Sequence, residues 1–214
     1  MTTVETAPST AGFTRNAMIA CAAISPLTVA LSLLLAPFDA TAEGEPYIRA
    51  IVANLGAYAL WSWVGALGAA TLIPAIFAVS KVARSGRPVL GLVGMILAFC
   101  LALPYGLTSD DTIYAAAKAG LDVPTTNRLV TELSEGTPTS ILGFTFFLSL
   151  LGFVLLGVAA LRSAAPKWAA IAMIVAPLLI PMPWFAGLPA AAGGVAWLVF
   201  TAAATGIALA LPAR

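Results

Sequence analysis

Six runs of apolar residues, each about 20 long and without interior charge, leave this chain few ways to fold. Crossing a hydrocarbon layer of about 30 Å takes roughly 20 helical residues at about 1.5 Å each, so every run is long enough to span a bilayer. The runs fall at about 17–38, 57–80, 88–107, 139–161, 167–185 and 191–212. Of 214 residues, 61% are hydrophobic and 9% charged, whereas a soluble domain carries charge on roughly a quarter of its residues. The expected fold is an all-α, polytopic transmembrane helical bundle of about six spans, a single membrane domain over 1–214 with lipid as its main solvent.

All ten basic and nine acidic residues lie between the runs or at their edges. The polar tail (1–16), the turns at 81–87 and 162–167 and the C-terminal end hold Arg15, Lys81, Arg84, Arg87, Arg162, Lys167 and Arg214 against one acid, Glu5. The alternate segments hold Asp39, Glu43, Glu45, Asp110, Asp111, Asp122, Glu132 and Glu135 against Arg49, Lys118 and Arg128. Basic residues are retained in the cytoplasm during insertion, so this alternation predicts both termini inside and the cell membrane as location. Pro181, Pro183, Pro189 and the Gly193-Gly194 pair punctuate the stretch between the last two runs as a turn. Ala40-Thr41-Ala42 resembles a signal-peptidase site, but the run before it is too long for a signal peptide and follows a polar tail, so an uncleaved anchor is expected.

The two outer loops, 39–56 and 108–138, offer room for short amphipathic helices. Glu45-Pro46 reads as a helix start, with Tyr47, Ile48, Ile51, Val52, Leu55 and Tyr58 at helical spacing and Arg49 and Asn54 opposite. The second loop suggests one helix over about 112–119 and another after Pro124 with Leu129, Val130 and Leu133. A shift of 78 residues aligns Pro46 with Pro124, Gly65 with Gly143, Arg84-Ser85 with Arg162-Ser163 and Pro88 with Pro166, the mark of a parallel internal repeat.

The chain has no histidine, which removes paired-histidine haem ligation, H-E-x-x-H zinc hydrolysis, histidine-box iron chemistry and histidine-assisted serine mechanisms. G-x-S-x-G elbows, P-loops, vicinal cysteines and an aspartate within a span are also missing. Cys21 and Cys100 sit in apolar runs and read as core residues. No buried charge suggests an ion-coupled relay, and the formal net charge of +1 gives no argument for nucleic acid. Asp110-Asp111, with Asp39 or Glu43 nearby, has the oxygen ligands for a divalent cation, but Ser109-Asp110-Asp111 equally fits the cap of a helix starting near Thr112. Tyr58, Trp61, Trp63, Tyr105 and Trp184 cluster toward the outer ends of their spans beside Pro104, Pro181 and Pro183. They form either an interfacial aromatic belt or, with Asp39, Asp110 and Asp111, an outer-face pocket. Gly65, Gly68, Gly91, Gly94, Gly143 and Gly152 are expected at close helix approaches.

The apolar first span followed by Asp39-Ala40-Thr41-Ala42, the amphipathic helix into the second span, the basic turn, the long polar outer loop and the Arg162 to Trp168 stretch together resemble a group of uncharacterised bacterial six-helix membrane proteins. That resemblance implies topology alone; the alanine richness suits a high-GC bacterial genome. The expected role is non-enzymatic: a bilayer-embedded bundle binding a lipid, an apolar small molecule, a membrane protein or another copy of itself, without cofactor or nucleic acid. The alternatives are a small facilitator or transporter subunit for an uncharged or lipidic solute, and a carboxylate-metal enzyme at the outer face.

Overall fold

The computed structural model describes residues 10–103, 109–136 and 139–212. Among them every regular element is a helix: α1 (Ala11–Leu35), α2 (Gly44–Ala53), α3 (Leu55–Gly86), α4 (Pro88–Ala98, prolonged by a 3-10 turn over Phe99–Ala102), α5 (Ser109–Lys118), α6 (Val123–Gly136), α7 (Thr139–Ala160), α8 (Lys167–Leu179), α9 (Met182–Ala186) and α10 (Ala190–Ala208). Four stretches are long and apolar enough to cross a membrane: Gly12–Leu35, Leu55–Gly86, Gly143–Ala160 and Ala190–Ala208. Pro88–Ala102 and Lys167–Leu179 are shorter apolar helices. Large apolar side chains cover the outside, with Trp63 78%, Val89 77% and Phe144 71% exposed. At about 25 cal/mol per Å² such a surface is costly in water and costs nothing against acyl chains. This is a membrane protein.

The apolar helices close into a ring in which α1 packs on α3, α3 on α4, α4 on α7, α7 on α8, α8 on α10 and α10 back on α1, with α3 also touching α7 and α10 across the interior. Lipid offers no hydrophobic drive to such contacts, so they depend on small residues that bring backbones together. Gly94 and Gly152 face each other where α4 crosses α7: a Cβ on Gly94 would lie 2.9 Å from the Gly152 carbonyl oxygen, and one on Gly152 would lie 2.7 Å from that of Gly94. At the seam of α1 and α3, the Ser25 hydroxyl donates to the Gly68 carbonyl at 3.0 Å, and a Cβ on Gly68 would collide with the Thr28 hydroxyl. Fully buried alanines, including Ala22, Ala30, Ala78, Ala98, Ala159 and Ala203, line the remaining seams. Phe153 and Phe200, 4.8 Å apart edge to face, fill the interior with Trp197.

Most of the described basic residues gather at one end. Arg15 donates from Nε to the Leu211 carbonyl at 2.8 Å and from Nη2 to the Leu209 carbonyl at 3.0 Å, tying the start of α1 to the end of α10. These are carbonyls with no partner inside the helix, at the negative pole of its dipole. Gly86 at the end of α3 lies so close to Ala159, Arg162 and Ser163 that a Cβ there would be 2.5 Å from the Ala159 carbonyl oxygen. Lys167 donates to the Leu161 carbonyl across the neighbouring turn.

Several boundaries differ from those the sequence suggests. Helix α3 runs to Gly86 rather than stopping near residue 80: Lys81 and Arg84 are exposed and lie within it, since long charged side chains can reach water from a helix that continues past the apolar run. Its 32 residues make a rod of roughly 48 Å, longer than the hydrocarbon core is thick. The run at 167–185 is two helices: α8 ends at Leu179, and Pro181 and Pro183 start the short α9, capped by Gly187 in the left-handed conformation (φ 64°). Of the glycines expected at close approaches, Gly65 and Gly143 face open space, where a Cβ would meet nothing within 4 Å.

These contacts set an expectation for stability. Gly152→Val should destabilise the bundle by about 1–3 kcal/mol or more through overpacking against α4, whereas Gly143→Ala should leave thermal unfolding in detergent within about 0.5 kcal/mol of the parent.

Candidate functional site

At the acidic end the three short helices α2, α5 and α6 pack on one another and on the start of α3. They share a small core of Ile48, Ile51, Ile113 and Tyr58, joined by Phe38, Tyr47, Leu55, Tyr114, Val123 and Val130. The sequence folds this way because α2 is amphipathic, with Ile48 and Ile51 one turn apart on its inner face and Arg49 pairing with Glu45 at 2.8 Å on the exposed one. Helix α6 starts under Asp122, whose Oδ1 accepts from the Thr125 backbone N–H at 2.8 Å; the Thr125 hydroxyl first, and then that backbone bond, hold its carboxyl below the ordinary value.

Helix α5 begins at Ser109, not near Thr112, so Asp110 and Asp111 occupy its first turn instead of preceding it. There the helix dipole favours both negative charges, and their side chains turn to tyrosines. The Tyr58 hydroxyl donates to Asp111 Oδ1 at 2.8 Å, with Ser62 Oγ at 3.5 Å from the same oxygen. Tyr47 bonds Asp110; burial first, then the Asp110 charge and that hydrogen bond, raise the Tyr47 phenol well above its ordinary value, so it stays a neutral donor. Tyr58 stacks on Tyr114 at 5.3 Å, and Lys118 sits 5.7 Å above the Tyr114 ring.

Beneath this acidic roof lie two chambers. The first, of about 370 Å³, is bounded by α1, α2, α3 and α5 and lined by Tyr47, Tyr58, Trp61, Ser62, Asp110 and Asp111. The second, of about 640 Å³, is lined by Leu101, Phe146, Phe147, Pro181, Trp184 and Trp197, with Asp110 at its rim. Val29, Leu33 and Asp110 belong to both, so the chambers share a wall. Deeper in the ring the space narrows to about 20 Å³ between Ser25, Ile76, Phe153 and Phe200. Such walls suit an apolar body, and the aspartates suit a polar or cationic end.

The structure thus brings Tyr58, Trp61, Asp110 and Asp111 into one chamber and Asp110 and Trp184 into the next. Tyr105 lies outside the described residues. Asp39 is not part of either wall, although Phe38 and Ala40 beside it are. Its Oδ1 accepts from the Thr41 N–H at 2.9 Å and the Thr41 hydroxyl at 2.7 Å, closing a turn; those two bonds hold its carboxyl below the ordinary value of 3.8. Trp63 points outward and is 78% exposed, as a belt residue would be. Sequence reasoning missed Tyr47, Phe146, Phe147 and Trp197 as lining residues. A signal existed for Tyr47, since a tyrosine on the apolar face of an amphipathic helix needs a hydroxyl partner once half-buried. The other three sit in apolar runs with nothing to distinguish inward from outward faces. Among the described residues no group of three or more acidic or cysteine side chains is placed to hold a metal ion. Neither models of known families, nor curated proteins, nor solved structures match this chain, so its own residues carry the functional reading.

Two measurements follow. Tyr58→Phe should lower the stability of the α5 cap by about 1–3 kcal/mol, read by hydrogen exchange, and a cycle with Asp111→Asn should show coupling of about 1 kcal/mol if the bond is made to a charged group. The Asp39 carboxyl is lowered in the folded protein, so the turn's stability is fully present above pH 3.8 and lost as the pH falls through the lower folded value; limited proteolysis of the 39–43 segment should show this acid step in the parent and not in Asp39→Asn.

Proposed function

We propose that this chain is a six-crossing integral protein of the cell membrane, with both termini in the cytoplasm, that binds one elongated apolar molecule with a polar or cationic head in the cavity at its acidic end. The observation that carries the reading is the pair of chambers sharing Asp110: aromatic and aliphatic walls below, two carboxylates held by tyrosines above. A cavity of about 640 Å³ falls within the size range of pockets that enclose small-molecule ligands, roughly 300–1,000 Å³.

Six crossings are supported by the ring itself, in which Pro88–Ala102 and Lys167–Leu179 take the same kind of place as the four longer helices. The gathering of Arg15, Arg84, Arg87, Arg162 and Lys167 at one end, opposite the acidic cap, supports the cytoplasmic assignment of both termini. The order α2, α3, α4 repeated as α6, α7, α8 supports a parallel duplication, with α1 and α10 closing the ring between the copies. Binding is favoured over passage because the chambers end on the packed floor of Ile76, Phe153 and Phe200. A carboxylate-metal enzyme finds no support in the tyrosine partners of Asp110 and Asp111.

Mass spectrometry of the protein extracted gently from its native membrane tests this. The expected outcome is one molecule of a single amphiphile per chain, retained by the parent and lost from Gly143→Trp, which adds bulk to a wall of the second chamber where a Cβ has open space. A parent that emerges without any stoichiometric small molecule, in each of several mild detergents, would sink the reading.

A further inference from the structure

A groove of about 850 Å³ lies at the opposite end from the acidic cavity and has no part in the function proposed above. Its floor is one face of α3. Ile73, Phe77, Lys81 and Arg84 follow at spacings of four, four and three, which stacks them along the helix. Met18 of α1 forms one bank and Pro88, the first residue of α4, the other. The floor is apolar at Ile73 and Phe77, which are 48% and 45% exposed, and cationic at Lys81 and Arg84.

The dimensions match one leaflet. From Ile73 to Arg84 the helix rises roughly 16 Å, about half the thickness of a 30 Å hydrocarbon core. Pro74 at the inner end removes a backbone donor in mid-helix, where α3 is free to bend. Arg84 is backed by α4: Gly91 lets the first turn of α4 press on it, where a Cβ would stand 2.8 Å from Arg84 Cγ. Ser80 and Ser85 spend their hydroxyl protons on the carbonyls of Phe77 and Val82, so the recognition of an anion falls to the two cations.

Nothing within the described protein neutralises them. The one salt bridge among the described residues is Arg49 with Glu45 at the far end, and every described acid belongs to that end or to the cap. We propose that this groove binds one anionic phospholipid of the adjoining leaflet, its phosphate on Lys81 and Arg84 and an acyl chain along Phe77 and Ile73. Basic pockets between membrane helices on the cytoplasmic side recognise anionic headgroups by this chemistry. The inference does not rest on the acidic cavity: it needs only that the basic end meet a membrane surface.

The test titrates the purified full-length protein in detergent with dioleoyl phosphatidylglycerol or dioleoyl phosphatidylcholine and counts bound lipids by native mass spectrometry. For the first lipid bound, the anionic species should be preferred roughly 10- to 30-fold, the effect of two cations near a surface. Lys81→Gln with Arg84→Gln should abolish that preference, while Arg162→Gln with Lys167→Gln, which removes equal charge from the same end but outside the groove, should keep it. Thermal melting checks that each variant is folded. Should the Lys81 and Arg84 variant fail to fold, Ile73→Trp, which fills the groove and leaves both cations, should still weaken phosphatidylglycerol binding. Equal binding of the two lipids by the parent, or equal loss in both double variants, would overturn the proposal in favour of diffuse attraction. Displacement of the lipid by millimolar inorganic phosphate would overturn it too, since the site would then be reading an anion without chains.

Discussion

Hydrocarbon cannot hydrogen-bond a peptide group, and most of this structure follows from that. Every crossing must satisfy its backbone within itself, so every regular element of the described chain is a helix. Side-chain hydroxyls obey the same rule: Thr28, Ser32, Thr71, Ser149, Thr201 and Thr205 each donate to a carbonyl one turn back, and no buried side-chain polar atom among the described residues is left without a partner. With the backbone satisfied and the hydrophobic effect already used in entering the bilayer, helices associate through close packing at Gly68, Gly94, Gly152 and the buried alanines. The cap is held by a different force. Ile48, Ile51 and Ile113 are buried beneath amphipathic helices whose other faces are polar, as in a miniature soluble core.

Much of this was legible in the sequence, and what was missed has physical reasons. The apolar runs gave the helices, and the segregation of charge into alternate segments reappears as two chemically opposite ends. Helix ends were less clear, because a charge marks where a side chain must leave hydrocarbon and not where the backbone stops being helical; Lys81 and Arg84 lie inside α3. In sequence Pro181 punctuates the stretch between the last two runs as part of a turn; the structure uses it to divide the 167–185 run into α8 and α9. Glycine content suggested tight seams, yet which glycines make them depends on helix rotation, which near-uniform apolarity does not encode. Gly86, Gly157 and Gly206 are in close contact while Gly65 and Gly143 are not.

The candidate site shows the same division. Asp110, Asp111, Tyr58, Trp61 and Trp184 stand out in sequence because polar and aromatic residues at span ends are scarce, and the structure gathers them. Asp39 stands out for the same reason and yet serves its own turn through Thr41. A lone sequence position cannot tell a carboxylate that closes a loop from one that faces a cavity; the Tyr58 and Tyr47 hydroxyls that face Asp111 and Asp110 make that distinction in space. Helix α3 links both ends of the molecule, with Tyr58 under the acidic roof and Lys81 and Arg84 in the basic groove.

The clamp of Arg15 on the Leu209 and Leu211 carbonyls joins positions 194 and 196 residues apart in the chain. Synthesis runs in one direction at about 5–20 residues per second. Helix α1 therefore enters the bilayer with half of its mating surface open, since Ala30 and Leu34, which receive Gly194, have no partner until α10 emerges. For tens of seconds, on that scale, the nascent ring is a horseshoe whose free edges are α1 and whichever helix was made most recently. It becomes a closed circle only when α10 has been made and has docked on α1.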